Sequence, residues 1–388
     1  MQTTIRSFTA SAGWSAALPA ELDSDRTLVL AFADPALRDH PAFGELAAAF
    51  PQAHKLGCST SGEIHSDEVL DNSVVVAILK LDHGRIRVAV AAIEQADDSQ
   101  AAGAALATAL SGPELKAVFV LSDGLNVNGT PLVRALSGGL GGGVQVSGGL
   151  AGDGARFAST WTWDGASAAD GRVLAVGLYG ASVQVRCASQ GGWDVFGPER
   201  RVTEAVGNVL HSLDGKPALE LYKAYLGERA AELPASALLF PLAVRQPDGG
   251  RLVRTVLSVD EATQTMTFAG DIPTGALVQL MRANLDRLVD GAAQAGLDAD
   301  AQGQAGAGPA GLAVAVSCVG RRLVLGERVD DEVEATLEQL PKGTVQVGFY
   351  SYGELGPQGQ TTCELHNQTM TLTYIQETTE PPHGTPTP

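Results

Sequence analysis

AVFVLSDG at residues 117–124 and VQVSGGLAGDG at residues 144–154 decide the fold class. Residues 117–121 form a fully apolar run of strand length, closed by Ser122, Asp123 and Gly124. A helix follows at once, with Thr130 as its expected N-cap and Pro131 at the first helical position, where a missing N–H removes no helical bond. Residues 144–146 then resume as a strand that runs into the small, polar SGGLAGDG. Strand, helix and strand in this order predict an α/β sheet.

The same alternation extends in both directions. LVLAFAD at 28–34 predicts a strand, followed by a helix to Phe50, and a second helix is expected over 98–110. Residues 74–81 and 86–93 predict a hairpin about Asp82, His83 and Gly84, which makes the sheet mixed, and residues 173–187 supply two strands about Gly180. Residues 203–227 read as two helices joined at Asp214-Gly215, with Pro217 opening the second. Strands return at 237–244, 252–259, 264–268 and 275–281, a helix at 284–295, a Gly/Ala-rich flexible loop at 298–309, a strand at 312–319 and a helix at 330–340. Further strands are expected at 344–352 and 365–376. The fold class is therefore α/β: two mixed α/β sheet domains, 27–192 and 230–376, joined by a helical segment at 193–229, with a disordered tail at 377–388. VFVLSDG and VQVSGGLAGDG in the first half echo VAVSCVG and VQVGFYSYGE in the second, so both halves can share one plan.

The 388 residues exceed one ordinary core, and the formal charge of -18 opposes phosphate backbones and anionic membrane surfaces, so nucleic acid is not an expected partner. No apolar run approaches the roughly 20 residues of a membrane span, and no apolar segment precedes the small residues near the start, so membrane insertion is not expected and a cytoplasmic location is. Cys58, Cys187, Cys318 and Cys363 are dispersed, without a C-x-x-C pair, which suits reduced thiols.

Three strand ends open into small and polar residues: GCSTSGE at 57–63, SGGLAGDG at 147–154 and GFYSYGE at 348–354. Ligands of α/β sheets bind beyond the carboxyl ends of strands, where glycines let backbone approach closely, so these turns are the leading site candidates. No phosphate-binding loop is complete. Cys58 or Ser59 with Glu63, and His366 or His65 as base, would be needed for a hydrolase. No spacing suits an all-protein zinc site, whereas a single histidine such as His366 could serve as a haem axial ligand.

GCSTSGEI, GGLAGDG followed by Phe157 and Thr160, and GFYSYGELG with LHNQTMTLTYI together resemble the FIST family, with VTEAVGNVLHSLDGKPALELY typical of its domain junction. The resemblance runs from about Thr27 to Ile375 and implies an N-terminal and a C-terminal FIST domain. It carries over Gly57, Ser59, Gly62, Glu63, Gly149, Gly152, Asp153, Gly154, Tyr352, Gly353, Glu354, His366 and Asn367 as motif positions, to which Cys58 is added as pocket lining. It implies a sensor of small ligands, with amino acids suggested, that regulates a signalling partner in trans. It is similar in layout to members described as haem proteins that sense nitric oxide and control a histidine kinase, which makes haem the implied cofactor and His366 its candidate ligand. Ligand binding rather than catalysis is expected, with a cleft between the domains as its natural place.

Overall fold

The computed structural model describes residues 1–233, 235–246, 249–301, 310–358 and 362–378. The tail expected at 377–388 lies outside them from 379 onward, as does the loop expected at 298–309 from 302 onward. Residues 298–301 continue the helix Leu285–Ala301, and Glu377 ends a strand.

One strand plan is used three times. An outer strand (Gln2–Thr9, Arg85–Ala92, Val183–Gln190) precedes a buried strand (Thr27–Ala33, Leu115–Ser122, Leu312–Cys318). A helical crossover (Pro41–Ala49; Gly129–Leu140; Val319–Leu325 with Val329–Glu338) leads to a second strand, parallel to the first (His54–Ser59, Gln145–Leu150, Val345–Ser351). Parallel neighbours require such a crossover. A return strand (Ser73–Lys80, Arg172–Tyr179, Met370–Glu377) then runs antiparallel between the buried and outer strands.

Before its return strand each copy sends a hairpin into another copy's sheet. Glu63–His65 with Glu68–Leu70 extends Val345–Ser351; Gly353–Gln358 with Thr362–His366 extends Gln145–Leu150; Thr162–Trp163 with Ala168–Ala169 extends His54–Ser59. The exchange is cyclic. The three sheets share a core that includes Leu30, Phe32, Leu121, Val176, Val316 and Phe349, in which the Phe32 and Phe349 rings stack at 4.8 Å. The echo between the halves is thus two of three copies, the third being LVLAFAD with HKLGCSTSGE. Gly57, Gly148 and Gly348 hold the same register position in each copy. A Cβ there would lie 2.5, 2.0 and 1.8 Å from the carbonyl oxygens of Ala31, Val120 and Ala315, so only glycine lets the parallel strands close.

The threefold plan is broken by an insert in the last copy, residues 194–282, which forms an antiparallel sheet of its own over a core containing Leu210, Leu219, Tyr222, Phe268 and Leu280. The joining segment expected to be helical is half strand: Asp194–Val206 and Val209–Leu213 form a hairpin, and only Ala218–Leu226 is an α-helix. Val202, Leu210 and Leu213 supply the insert core while Thr203 and Glu204 face water, and the pairing shifts register at Glu204. The expected hairpin at 74–93 is also corrected. Ser73–Lys80 already has Gln2–Thr9 and Thr27–Ala33 on its two edges, so Arg85–Ala92 joins the next copy's sheet. Asn128, not Thr130, caps the helix Gly129–Leu140, its side chain accepting the Thr130 N–H at 3.1 Å. The strand expected at 365–376 is broken by residues 367–369, where Gln368 takes φ +62°.

At the far end the joints between copies meet on Glu377. Its carboxylate accepts the N–H groups of Asp82, His83 and Gly84 at 2.6, 2.8 and 2.7 Å and the Ser182 hydroxyl at 3.1 Å. Burial pushes this carboxyl up, but the donors outweigh it and hold it below the usual range. Glu63 and Glu354 occupy equivalent positions in the first and third copies. Glu63 accepts from the Thr60 hydroxyl and, at 2.7 Å, from Ser73; Glu354 accepts from Ser351 at 2.7 Å and from Thr369 N–H and hydroxyl at 3.2 and 3.0 Å. Burial outweighs these donors and raises both carboxyls to about 8, so both are largely protonated at neutral pH.

Two outcomes are expected. Glu377→Gln loses about 1.5–3 kcal/mol in denaturant unfolding at pH 7, and the loss shrinks on acidification, because a depressed carboxyl stabilises above its usual range and stops doing so as pH falls through its folded value. A loss under about 0.5 kcal/mol would show that the joints hold without it. Glu63 and Glu354 have the opposite sign. Their contribution is complete below the usual value of 4.5 and fades as pH rises through about 8, so the double variant Glu63→Gln, Glu354→Gln should show a flatter fall of stability across that window than the parent chain.

Candidate functional site

The three polar strand ends do come together. Gly152 N–H donates to Ser59 O at 3.0 Å, Ser61 N–H to Tyr350 O at 2.8 Å and Tyr352 N–H to Leu150 O at 3.2 Å, a closed ring in which each turn accepts from one neighbour and donates to the other. The ring is a packed knot rather than a pocket. Cys58 is wholly buried in the shared core, which pushes its thiol well up, and Ser59 Oγ accepts the Trp161 N–H at 3.1 Å. Gly62 lies against the Arg322 guanidinium, Gly149 against Val316 and Phe349, Gly152 against Ser61 Oγ, and Gly353 against Leu150 and Leu365. Gly154 N–H donates to Ser61 Oγ at 3.0 Å, and Asn367 Oδ1 accepts the Thr255 N–H of the insert at 3.4 Å. With Glu63 and Glu354 buried as described, these residues build the framework. His65 Nδ1 lies 3.4 Å from Glu68 and His366 Nε2 lies 3.2 Å from Gly356 O, so among the described residues neither imidazole is hydrogen-bonded to Cys58 or Ser59.

The cleft lies beside the knot, between the insert and the turns of the second and third copies. It encloses about 350 Å³ and is walled by Thr255, Val256 and Leu257 of the insert, Phe157 of the second copy, and Cys318, Leu323 and Tyr352 of the third, with Glu232 at its margin. Phe157 and Tyr352 stack at 4.4 Å and 12°. Asp153 sets this pair: its carboxylate accepts the N–H groups of Phe157, Ala158 and Ser159 at 2.8, 2.9 and 2.9 Å and the Tyr352 hydroxyl. Burial opposes the Asp153 charge, but the Tyr352 hydroxyl and the three N–H groups overcome it and keep the carboxyl below its usual range. Phe157, Leu257 and Leu323 are among the exposed large apolar side chains, and the buried Thr255 hydroxyl has no hydrogen-bond partner among the described residues. A second hollow of about 250 Å³ adjoins, sharing Phe157, Leu257 and Tyr352 and reaching Leu125.

Of the expected site residues, Tyr352 lines the cleft and Asp153 positions it. Thr255, Leu257 and Leu323 went unseen in the sequence. The signal available was Phe157 in its motif; apolar residues of the insert carry no mark of facing another turn.

The residues present do not fit a haem ligated by His366. Its side chain is buried, with Nε2 3.2 Å from Gly356 O, and burial with the nearby Arg254 guanidinium pushes the imidazole down to about 4. No histidine lies among the described residues that wall the cleft. Among the described residues there is also no group of three metal-ligating side chains, and no helix long and apolar enough to cross a membrane.

Comparison with known proteins places these features. Residues 27–216 match the model of the FIST N domain and residues 218–357 that of the FIST C domain, so the boundary falls inside the insert, between its hairpin and its helix. No curated protein matches the chain. FIST domains are associated with signal transduction and small-ligand sensing. With both domain models accounting for most of its length, the chain belongs to the FIST family.

Proposed function

We propose that the chain senses a small, largely apolar ligand with a flat face in the cleft between the insert and the turns of the second and third copies, and that a signalling partner reads its occupancy. The observation that carries this is the stacked Phe157–Tyr352 pair, held by Asp153 at the wall of a cavity of about 350 Å³. An aromatic pair offers a face for offset stacking. Apolar walls disfavour a free amino acid, whose two charges would lose water without partners.

The ligand touches Thr255 and Leu257 on one wall and Phe157, Tyr352 and Leu323 on the other. It therefore favours the arrangement in which insert and framework stand together, and a population shift of this kind changes the surface a partner meets. A histidine kinase is the partner class that the family resemblance suggests. A nitric-oxide response through haem draws no support from His366, for the geometric reason given above.

Unfolding midpoints of the full chain against flat aromatic metabolites and, separately, free amino acids test this. At least one flat compound should raise the midpoint, by the equivalent of about 2.7 kcal/mol at a hundredfold excess over Kd and logarithmically with concentration beyond it. Phe157→Ala and Leu257→Asp should each abolish the rise, the second with less than about 0.5 kcal/mol change in the free protein because Leu257 is exposed. A response to amino acids alone, or one indifferent to both substitutions, would sink the proposal.

A further inference from the structure

A further cavity, of about 310 Å³, opens on another stretch of the seam between insert and framework and differs in chemistry. Its walls carry Arg254 and Asp271 of the insert and Arg134 of the framework helix Gly129–Leu140. Arg254 is 2% exposed. Its Nε donates to Asp271 O at 3.1 Å and its Nη1 to Leu365 O at 2.9 Å and Val253 O at 3.2 Å, while Nη2 has no hydrogen-bond partner among the described residues. Nor does a carboxylate of the described residues come within ion-pair distance of it. The other fully buried arginine, Arg321, shows what such a group ordinarily requires: Glu332 at 2.7 Å. A buried guanidinium without a counter-ion is costly, and one that faces a cavity has room to acquire one.

The remaining charges leave that room. Arg134 gives its Nε at 3.0 Å to Glu364, which is not among the residues lining the cavity, and is otherwise more than half exposed. Asp271 on the wall accepts the Asn128 amide at 3.2 Å. Burial lowers the Arg254 guanidinium to about 10 in spite of Glu364 and Asp271, so the neighbouring acids do not make up for its lost hydration.

We propose that this cavity binds a small oxyanion, a carboxylate or a phosphate, between Arg254 and Arg134. A planar guanidinium fork matches either group, and an anion held there ties insert to framework. Arg254 and Thr255 are consecutive and face the two cavities, so occupancy of one bears directly on the wall of the other. The proposal does not depend on the apolar cleft having a ligand, and its failure would leave that reading intact.

The test is the unfolding midpoint of the full chain titrated with inorganic phosphate or with acetate, chloride being exchanged to hold ionic strength constant. A rise with either anion that becomes linear in the logarithm of its concentration above Kd is expected, and which anion acts identifies the source chemistry. Arg134→Gln, an exposed position, should fold as the parent does and weaken the apparent affinity about tenfold, with Arg134→Lys between them. Arg254→Lys, which keeps the charge and loses the fork, should weaken it likewise. No rise with either anion, or an equal rise in Arg134→Gln, would overturn the proposal.

Discussion

Everything in this molecule hangs on three backbone carbonyls meeting three backbone N–H groups where the second parallel strands end. Ser59, Leu150 and Tyr350 accept, and Gly152, Tyr352 and Ser61 donate, each across a boundary between copies. The ring closes only because the strands approach their neighbours at Gly57, Gly148 and Gly348 more closely than any side chain permits. Once closed it forces the hairpins outward into neighbouring sheets, so no copy completes its own sheet. The copies therefore complete one another's sheets, and water is kept away from the region where burial holds the Glu63 and Glu354 carboxyls above their usual range.

The candidate ligand site arises where the threefold plan fails. The second copy has Gly154 where the other two have a buried glutamate, and its turn is longer, with Asp153 organising residues 157–159 and presenting Phe157. The third copy contributes Tyr352, and it alone carries the insert that supplies the opposite wall. A symmetric knot would offer a stable core and no cleft; an inserted sheet leaning on it through Arg254 and Asn367 offers a seam that two kinds of ligand chemistry can occupy.

Much of the architecture was legible from local pattern. Apolar runs such as residues 117–121 and 312–318 are strands, and the helices expected at 98–110 and 330–340 follow from their periodicity. The hairpin over 194–213 was misread because valines and leucines at that spacing suit a helix face as well as a sheet face, and only the insert core chooses between them. The polar turns were read as ligand-facing on the strength of their residue types. Glycine, serine and a carboxylate serve equally to pack one turn against another, which is what most of them do.

The sequence by itself determined the α/β class, the positions of most elements and the family, because propensity, hydrophobic period and motif are properties of neighbouring residues. Only the tertiary structure decided which strands pair, that the echo is threefold, and that the cleft belongs to Tyr352, Phe157 and the insert. Pairing and exposure are set by contacts between distant residues, such as Glu377 with Asp82, 295 positions apart, and no local signal encodes a partner at that separation.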